Sequence, residues 1–201
     1  MPEPTSSQLD PIALHLLVMR CQAGDERAFA ALMGRFGPRT LGYLTGLVGD
    51  AAEDIQQEVW LAVYRGIGAL VNPGGFRTWL YRTTRHRAID WLRREKRERE
   101  LLAGAAAEAV QSAEPVTEEG DPGLDSPEIR AALSHLAPVH REVLLLRYVQ
   151  DLAYGEIALV VGCSVGTVRS RLHHARQRLR QALEGAQTED IESTIPQGGE
   201  S

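Results

Sequence analysis

The chain has 201 residues, a formal net charge of −5 and only 5% aromatic residues, a length that allows one large domain or two small ones. Helix formers dominate and period-two runs of Val, Ile, Thr and Tyr are missing, so the composition favours an all-α fold and excludes an all-β one. Two distant cysteines, Cys21 and Cys163, exclude a disulfide framework and a zinc spacing, and the lack of a leader-like start or of an apolar run near ~20 residues predicts a soluble, cytoplasmic protein with no membrane insertion.

Asp10-Pro11 opens the first helix, with a capping carboxylate followed by proline in the first turn. Gly24 suits its C-terminal turn. Asp25 caps a second helix that carries Phe29, Leu32 and Met33. Gly37-Pro38 is expected to interrupt that helix, with the pattern resuming through Leu41, Leu44 and Leu47. Gly49-Asp50 closes it and caps a third, about residues 51–65.

In the third helix Ala52, Ile55, Val59, Ala62 and Val63 form a core stripe. Glu53, Gln57, Trp60 and Tyr64 fall opposite at i, i+4, i+7 and i+11. A Trp and a Tyr on a polar face fit either a partner protein or another helix of the same bundle, and spacing does not choose between them. After a turn at Asn72-Pro73-Gly74-Gly75, a long helix starts at Phe76 and enters a basic run from Arg77 to Arg99. Arginine mixed with Trp79, Tyr81, His86 and Trp91 suits single-stranded nucleic acid, with Trp79 and Trp91 expected in the core and the polar positions between them facing outward.

From Leu101 to Glu128 there is no Lys or Arg, but Glu108, Glu114, Glu118, Glu119, Asp121 and Asp125 occur together with Pro and Gly. Residues 101–125 therefore read as a flexible acidic linker between a block at 10–100 and a block at 126–184. Residues 185–201 read as a disordered acidic tail. The second block opens at Ser126-Pro127 and predicts helices at about 127–136, 138–149, 153–161 and 164–183. Gly162 ends the third of these, and Ser164 caps the fourth.

That last helix is the unusual one. No acid occurs between Glu156 and Glu184. Val165, Val168, Leu172, Ala175, Leu179 and Ala182 make one narrow stripe, for which Ile157, Ala158, Val160 and Val161 can supply the partner. Arg169, Arg176 and Arg180 lie on one shoulder of it, Arg171 and Arg178 on the other. Ser170, His173, His174, Gln177 and Gln181 point away from the core. The short Gly-Cys-Ser turn before it is the mark of a helix-turn-helix. A donor-rich face with free N–H groups near Val165, Gly166 and Thr167 suits phosphates and the base edges of a major groove. Adjacent His173 and His174 diverge by ~100° and make a poor metal pair. A phosphate loop, a zinc-protease helix and a nucleophile elbow are all missing, so neither catalysis nor a cofactor is expected.

The chain resembles the extracytoplasmic-function (ECF) group of bacterial RNA polymerase sigma factors. Ala52-Glu-Asp-Ile-Gln-Gln-Glu-Val-Trp60 is similar to the polymerase-clamp helix of region 2, and Phe76 to Arg94 to its promoter-melting segment. Leu136-Ala-Pro-Val-His-Arg-Glu-Val-Leu-Leu-Leu-Arg-Tyr148, Glu156-Ile-Ala158 and Val165-Gly-Thr-Val-Arg-Ser-Arg-Leu172 are similar to region 4. The resemblance implies two helical domains and no enzyme. It also implies that Glu53, Asp54, Gln57, Glu58 and Trp60 meet the β′ clamp coiled coil of core polymerase. Arg77, Arg82, Arg85, His86, Arg93 and Arg94 would engage the opened −10 element. Val165, Gly166, Thr167, Arg169, Ser170, Arg171, His173, His174 and Arg176 would read the −35 element. Further implied contacts are the polymerase β flap and an anti-sigma factor, with the linker running toward the polymerase active site; no small-molecule substrate is implied. His86 stands where the family often has asparagine, and Ala153 where it often has a capping serine. The rival reading is a stand-alone helix-turn-helix regulator, which would bind its operator without polymerase, usually as a dimer.

Overall fold

A computed structural model describes residues 10–105, 131–133 and 135–192, with side chains through 102 in the first stretch and 183 in the last. Among these residues all regular structure is helical. The chain divides into two compact units, one made by the helices that precede residue 111 and one by helices of the later stretch.

The first unit contains α1 (Pro11–Gln22), α2 (Glu26–Val48), α3 (Ala52–Gly66) and α4 (Phe76–Ala105). Its caps follow the expected chemistry. The Ile12 N–H donates to Asp10 Oδ1 at 3.1 Å. Asp25 Oδ1 accepts from the N–H groups of Arg27 and Ala28 at 3.0 and 3.1 Å, while its Oδ2 takes Nη2 of Arg20 at 2.6 Å. The Arg20 guanidinium, and after it the Ala28 N–H, hold the Asp25 carboxyl below its ordinary value. Gly24 turns the chain out of α1 with φ +85°, a left-handed conformation that side chains other than glycine rarely adopt. Asp50 does not cap α3: it lies in a single 3₁₀ turn, Gly49–Ala51, and Ala51 stands at the cap with no side-chain bond.

Pro38 does not interrupt α2, which runs unbroken from Glu26 to Val48. Proline deletes the N–H that would bond the carbonyl of Gly34, but Gly34 is exposed and water can serve it. Polar side chains secure the same turn. The Thr40 hydroxyl donates to the carbonyl oxygens of Phe36 and Gly37, both at 2.9 Å, and Gln56 Nε2 reaches from α3 to the Gly37 carbonyl at 2.6 Å. The core of the unit joins Leu14 and Val18 of α1, Leu32, Phe36 and Leu44 of α2, Ile55, Val59 and Val63 of α3, and Phe76 and Leu80 of α4. Trp79 and Trp91 pack against it, as their spacing predicts. Tyr81 is buried edge-on to Tyr43, their ring centroids 5.9 Å apart, and burial pushes its phenol well above the ordinary range.

In the later stretch, residues 131–133 are helical, α5 spans Pro138–Leu144 and continues through a wider π turn at Leu145–Val149, α6 spans Tyr154–Val161, and α7 spans Val165–Glu192. Asp151 takes φ +51° between α5 and α6, a conformation Asp tolerates better than most residues, and pairs with Arg147 at 3.6 Å. Although Ala153 replaces a capping serine, half of a capping box survives: Glu156 Oε2 accepts the Ala153 N–H at 2.8 Å. Gly162, with φ +71°, makes the turn into α7. Two helix ends differ from expectation. α4 runs to Ala105, beyond the linker boundary expected at 101, and α7 runs to Glu192, into a tail expected to be disordered from 185. The rest of the expected linker, from 106, the start of the second block before 131, and the tail after 192 lie outside the described residues.

Candidate nucleic-acid interface and docking surfaces

The Ser164 hydroxyl caps α7, accepting the Thr167 N–H at 3.1 Å and lying 2.9 Å from the Thr167 hydroxyl. Val168, Leu172 and Ala175 are buried, and Leu179 is half-buried on the same seam. The main packing partner of this seam is α5 rather than the preceding α6, to which the sequence pattern assigned it. The opposite face is open. Val165, Gly166, Arg169, Ser170, His173, His174 and Arg176 are exposed; Thr167 and Arg171 are half-buried. Arg176 folds back so that its Nε donates to the Leu172 carbonyl at 3.2 Å. The first five turns thus carry cations and neutral donors on a wet surface, with no acid before Glu184. Hydrogen-bond donors can there meet phosphate oxygens or base acceptors without repulsion from a neighbouring carboxylate.

One side chain from outside α7 joins this surface. His140 of α5 is half-buried, and its ring centroid lies 6.3 Å from that of His174, which in turn lies 5.6 Å from that of His173. A lone histidine in Val-His-Arg carries no sequence signal for such a contact. Only the packing of α5 on α7 creates it.

On α4, Arg82, His86 and Arg93 occupy one exposed face at i, i+4 and i+11. Arg77 and Arg85 are half-buried and engaged with other groups. Arg94 is exposed on a different side, its Nε donating to the Asp90 carbonyl at 3.3 Å, and Arg93 lies 3.8 Å from the Asp90 carboxylate. Thr83 and Thr84 spend their hydroxyls on the carbonyls of Trp79 and Leu80, at 2.9 Å each, so neither Oγ–H is spare to donate to a ligand.

On α3, Glu53, Asp54, Gln57 and Glu58 are all exposed, and Glu58 lies 3.9 Å from Arg87 of α4. Trp60 is different. It is 6% exposed and belongs to the core, with Phe29 of α2 edge-on to it at 6.0 Å. The bundle itself covers this ring, so Trp60 is not an exposed aromatic ready for a partner. At 100° per residue it sits only about 60° from the core residue Val63, a shoulder that a neighbouring helix can close. Tyr64 stays 60% exposed, and Leu61, which the pattern did not single out, is 55% exposed beside Gln57. The wet face of α3 thus combines acids and amides with two apolar side chains, a mixture suited to a protein partner.

The described residues hold no group of three or more His, Cys, Asp or Glu arranged for a metal, and no helix among them is long and apolar enough to cross a membrane. Cys21 is buried, Cys163 half-buried, and both are free.

The described residues thus form two helical units, one with an acid- and amide-rich face on α3 beside the arginine-lined α4, and one with a capped α7 that follows a tight turn and carries no acid before Glu184. Comparison with known proteins agrees at each end of the chain. The profile "Sigma-70 region 2" matches residues 32–98, and "Sigma-70, region 4" matches residues 126–179. The chain is 34% identical over 184 residues to the RNA polymerase sigma-H factor of Pseudomonas aeruginosa, covering 84% of this chain and 92% of that one. It is 31% identical to the ECF RNA polymerase sigma-E factor of Haemophilus influenzae, over 84% of this chain and 94% of the relative. Among solved structures, the sigma factor RpoE of Bartonella quintana, crystallised with the anti-sigma factor NepR, superposes with a TM-score of 0.65 at 25% identity, over 78% of this chain and 96% of that one. The chain belongs to the ECF family of RNA polymerase sigma factors.

Proposed function

We propose that the three surfaces divide the work of promoter recognition. The exposed face of α3, centred on Asp54, Gln57 and Glu58 with Leu61 and Tyr64 beside them, docks on the β′ clamp coiled coil of core polymerase. Arg82, His86 and Arg93 of α4 engage the opened −10 strand. α7 lies in the major groove of the −35 element, with Arg169, Ser170, Arg171, His173, His174 and Arg176 toward the duplex and the Val165–Thr167 N-terminus toward a phosphate. The observation that carries this reading is the segregation on α7: the seam is buried, and up to Glu184 the opposite face is wet and carries no acid. The β flap is the second polymerase contact, and the chain works in the cytoplasm, where polymerase is. The bond-making chemistry of RNA synthesis stays with core polymerase. An anti-sigma factor is a fitting regulator, because a similar sigma factor was crystallised with one.

Transcription in vitro with purified core polymerase tests the assignment. Promoter-dependent initiation is expected with the parent chain. Asp54→Ala with Gln57→Ala should cut core affinity by tenfold or more, because charge-assisted contacts at an interface are worth about 1.5–3 kcal/mol each. Both residues are exposed, so thermal stability should hold. A chain that footprints the promoter alone and ignores core polymerase would favour the stand-alone regulator instead.

A further inference from the structure

We propose that His140, on α5, is a positioning residue of the duplex-facing surface: it backs the imidazole of His174 and lets that surface take up a proton when a phosphate backbone arrives. The proposal rests on the reading that α7 lies against promoter DNA. It adds a residue outside the recognition helix and a pH response.

The geometry comes first. α5 packs densely on α7. The His140 and His174 rings are 6.3 Å apart and tilted by 37°, and the His174 and His173 rings are 5.6 Å apart at 73°. Three imidazoles therefore run from a half-buried position on α5 to the exposed face of α7. An isolated histidine on a helix surface samples several rotamers. A ring behind His174 restricts that freedom before DNA arrives, and ordering done in advance is not charged to binding.

The field comes second. The groups on α7 that act on His140 electrostatically are His174, whose ring it touches, and then Arg178 and Arg171. On its own element, Arg141 turns away, its Nε donating to the Leu133 carbonyl at 2.8 Å and its Nη2 lying 3.3 Å from the Leu136 carbonyl, and Glu142 is buried. Burial first, then His174, Arg178 and Arg171, hold the imidazole below its ordinary value, so it is neutral in the free chain near neutral pH. A phosphodiester seated on the Arg171 and Arg178 shoulder offsets part of that positive field. The protonated ring then costs less than in the free chain, and binding draws in a fraction of a proton.

The direction follows from linkage. The bound state has the higher imidazole pKa, so affinity rises as pH falls through that value and levels off below the pKa of the free chain. One proton taken up is worth at most about tenfold per pH unit. His173 and His174 are imidazoles on the same exposed face, so the parent chain alone does not isolate His140. The difference between parent and variant does.

The experiment uses holoenzyme and a labelled promoter duplex, with binding followed by fluorescence anisotropy from pH 8.5 to 5.5, and a duplex with a scrambled −35 element as the blank. His140→Phe keeps a ring behind His174 but cannot take a proton; His140→Gln is a second non-titrating variant, should the first disturb folding. At pH 8.5, parent and His140→Phe should agree within about twofold. By pH 6 the parent should gain roughly three- to tenfold over the variant, the range that a fraction of one linked proton allows. Parallel profiles for the parent and both non-titrating variants would overturn the role of His140. Arg169→Ala with Arg176→Ala separates this from failure of the underlying reading. If that pair weakens binding while the His140 profiles stay parallel, only the His140 proposal falls. If that pair leaves −35-dependent binding unchanged, α7 does not read the duplex and both fall.

Discussion

Trp60 sits in the motif expected to meet polymerase, yet its ring is held by Phe29 and lies against the core of the first unit. Its truncation should therefore act on folding before it acts on binding. Trp60→Ala is expected to cost about 3–5 kcal/mol, the usual range for emptying a buried aromatic site, and to lower the melting temperature by many degrees. Thermal unfolding followed by circular dichroism measures this. A Trp60→Ala chain with unchanged melting and reduced core affinity would mean that the ring works at the surface after all. The residue also shows what a helical pattern conveys and what it omits. Residue spacing locates Trp60 around the axis of α3. It does not say that Phe29, 31 positions earlier, reaches that shoulder. The same blindness hid His140, whose partner His174 comes from a helix that begins after two further turns of chain. By contrast, Glu53, Gln57, Ser170 and His173 were legible, because an exposed polar residue opposite a core stripe needs no knowledge of any neighbour.

Helix ends were the most legible elements. Asp10, Asp25 and Ser164 accept N–H groups where their chemistry predicts, and Gly24 and Gly162 take the left-handed turns that end α1 and α6. These are local effects, settled within four residues. Pro38 was misread because its tolerance is not local: Gln56 of α3 bonds the Gly37 carbonyl and Thr40 Oγ1, at 2.6 and 3.1 Å. This tie between α2 and α3 can be tested from both sides. Gln56→Ala should destabilise the first unit by about 1–2 kcal/mol, the cost of a lost partly buried hydrogen bond. Pro38→Ala restores an N–H to a helix interior and should stabilise by roughly 1–3 kcal/mol, less than the full proline penalty if the helix has already adapted. Urea unfolding at constant m-value reads both changes. A neutral Gln56→Ala together with a destabilising Pro38→Ala would mean that the proline, and not the glutamine, organises this turn. The π turn after α5 had no sequence signature, since four consecutive buried apolar residues, Val143 to Leu146, fit an α-helix equally well.

At the scale of the whole molecule, charge and tethering act together. The chain carries a net −5, yet its cations are concentrated on α4 and α7, while residues 101–128 hold acids and no Lys or Arg. A free chain of this kind approaches DNA against its own average field, and each unit offers only a modest contact. When core polymerase holds both units on one promoter, the second contact becomes intramolecular, and linking two modest contacts can raise affinity by about 10²–10⁴. The acidic segment should then act mainly in the free chain, by repelling phosphates that would otherwise be captured at random. Changing Glu118, Glu119, Asp121 and Asp125 to their amides removes four negative charges without touching a described helix. The free chain so altered should bind non-specific duplex several-fold more tightly at 50 mM salt, and the gain should shrink toward nothing at 200 mM, where the Debye length is near 7 Å. Holoenzyme affinity for promoter should change less, because there the polymerase supplies the alignment. Anisotropy titrations at the two salt concentrations, with and without core polymerase, give all four numbers. Equal binding by the parent and the amide variant at 50 mM salt would show that the acidic segment does not restrain the free chain, and restraint would then have to come from the folded units themselves.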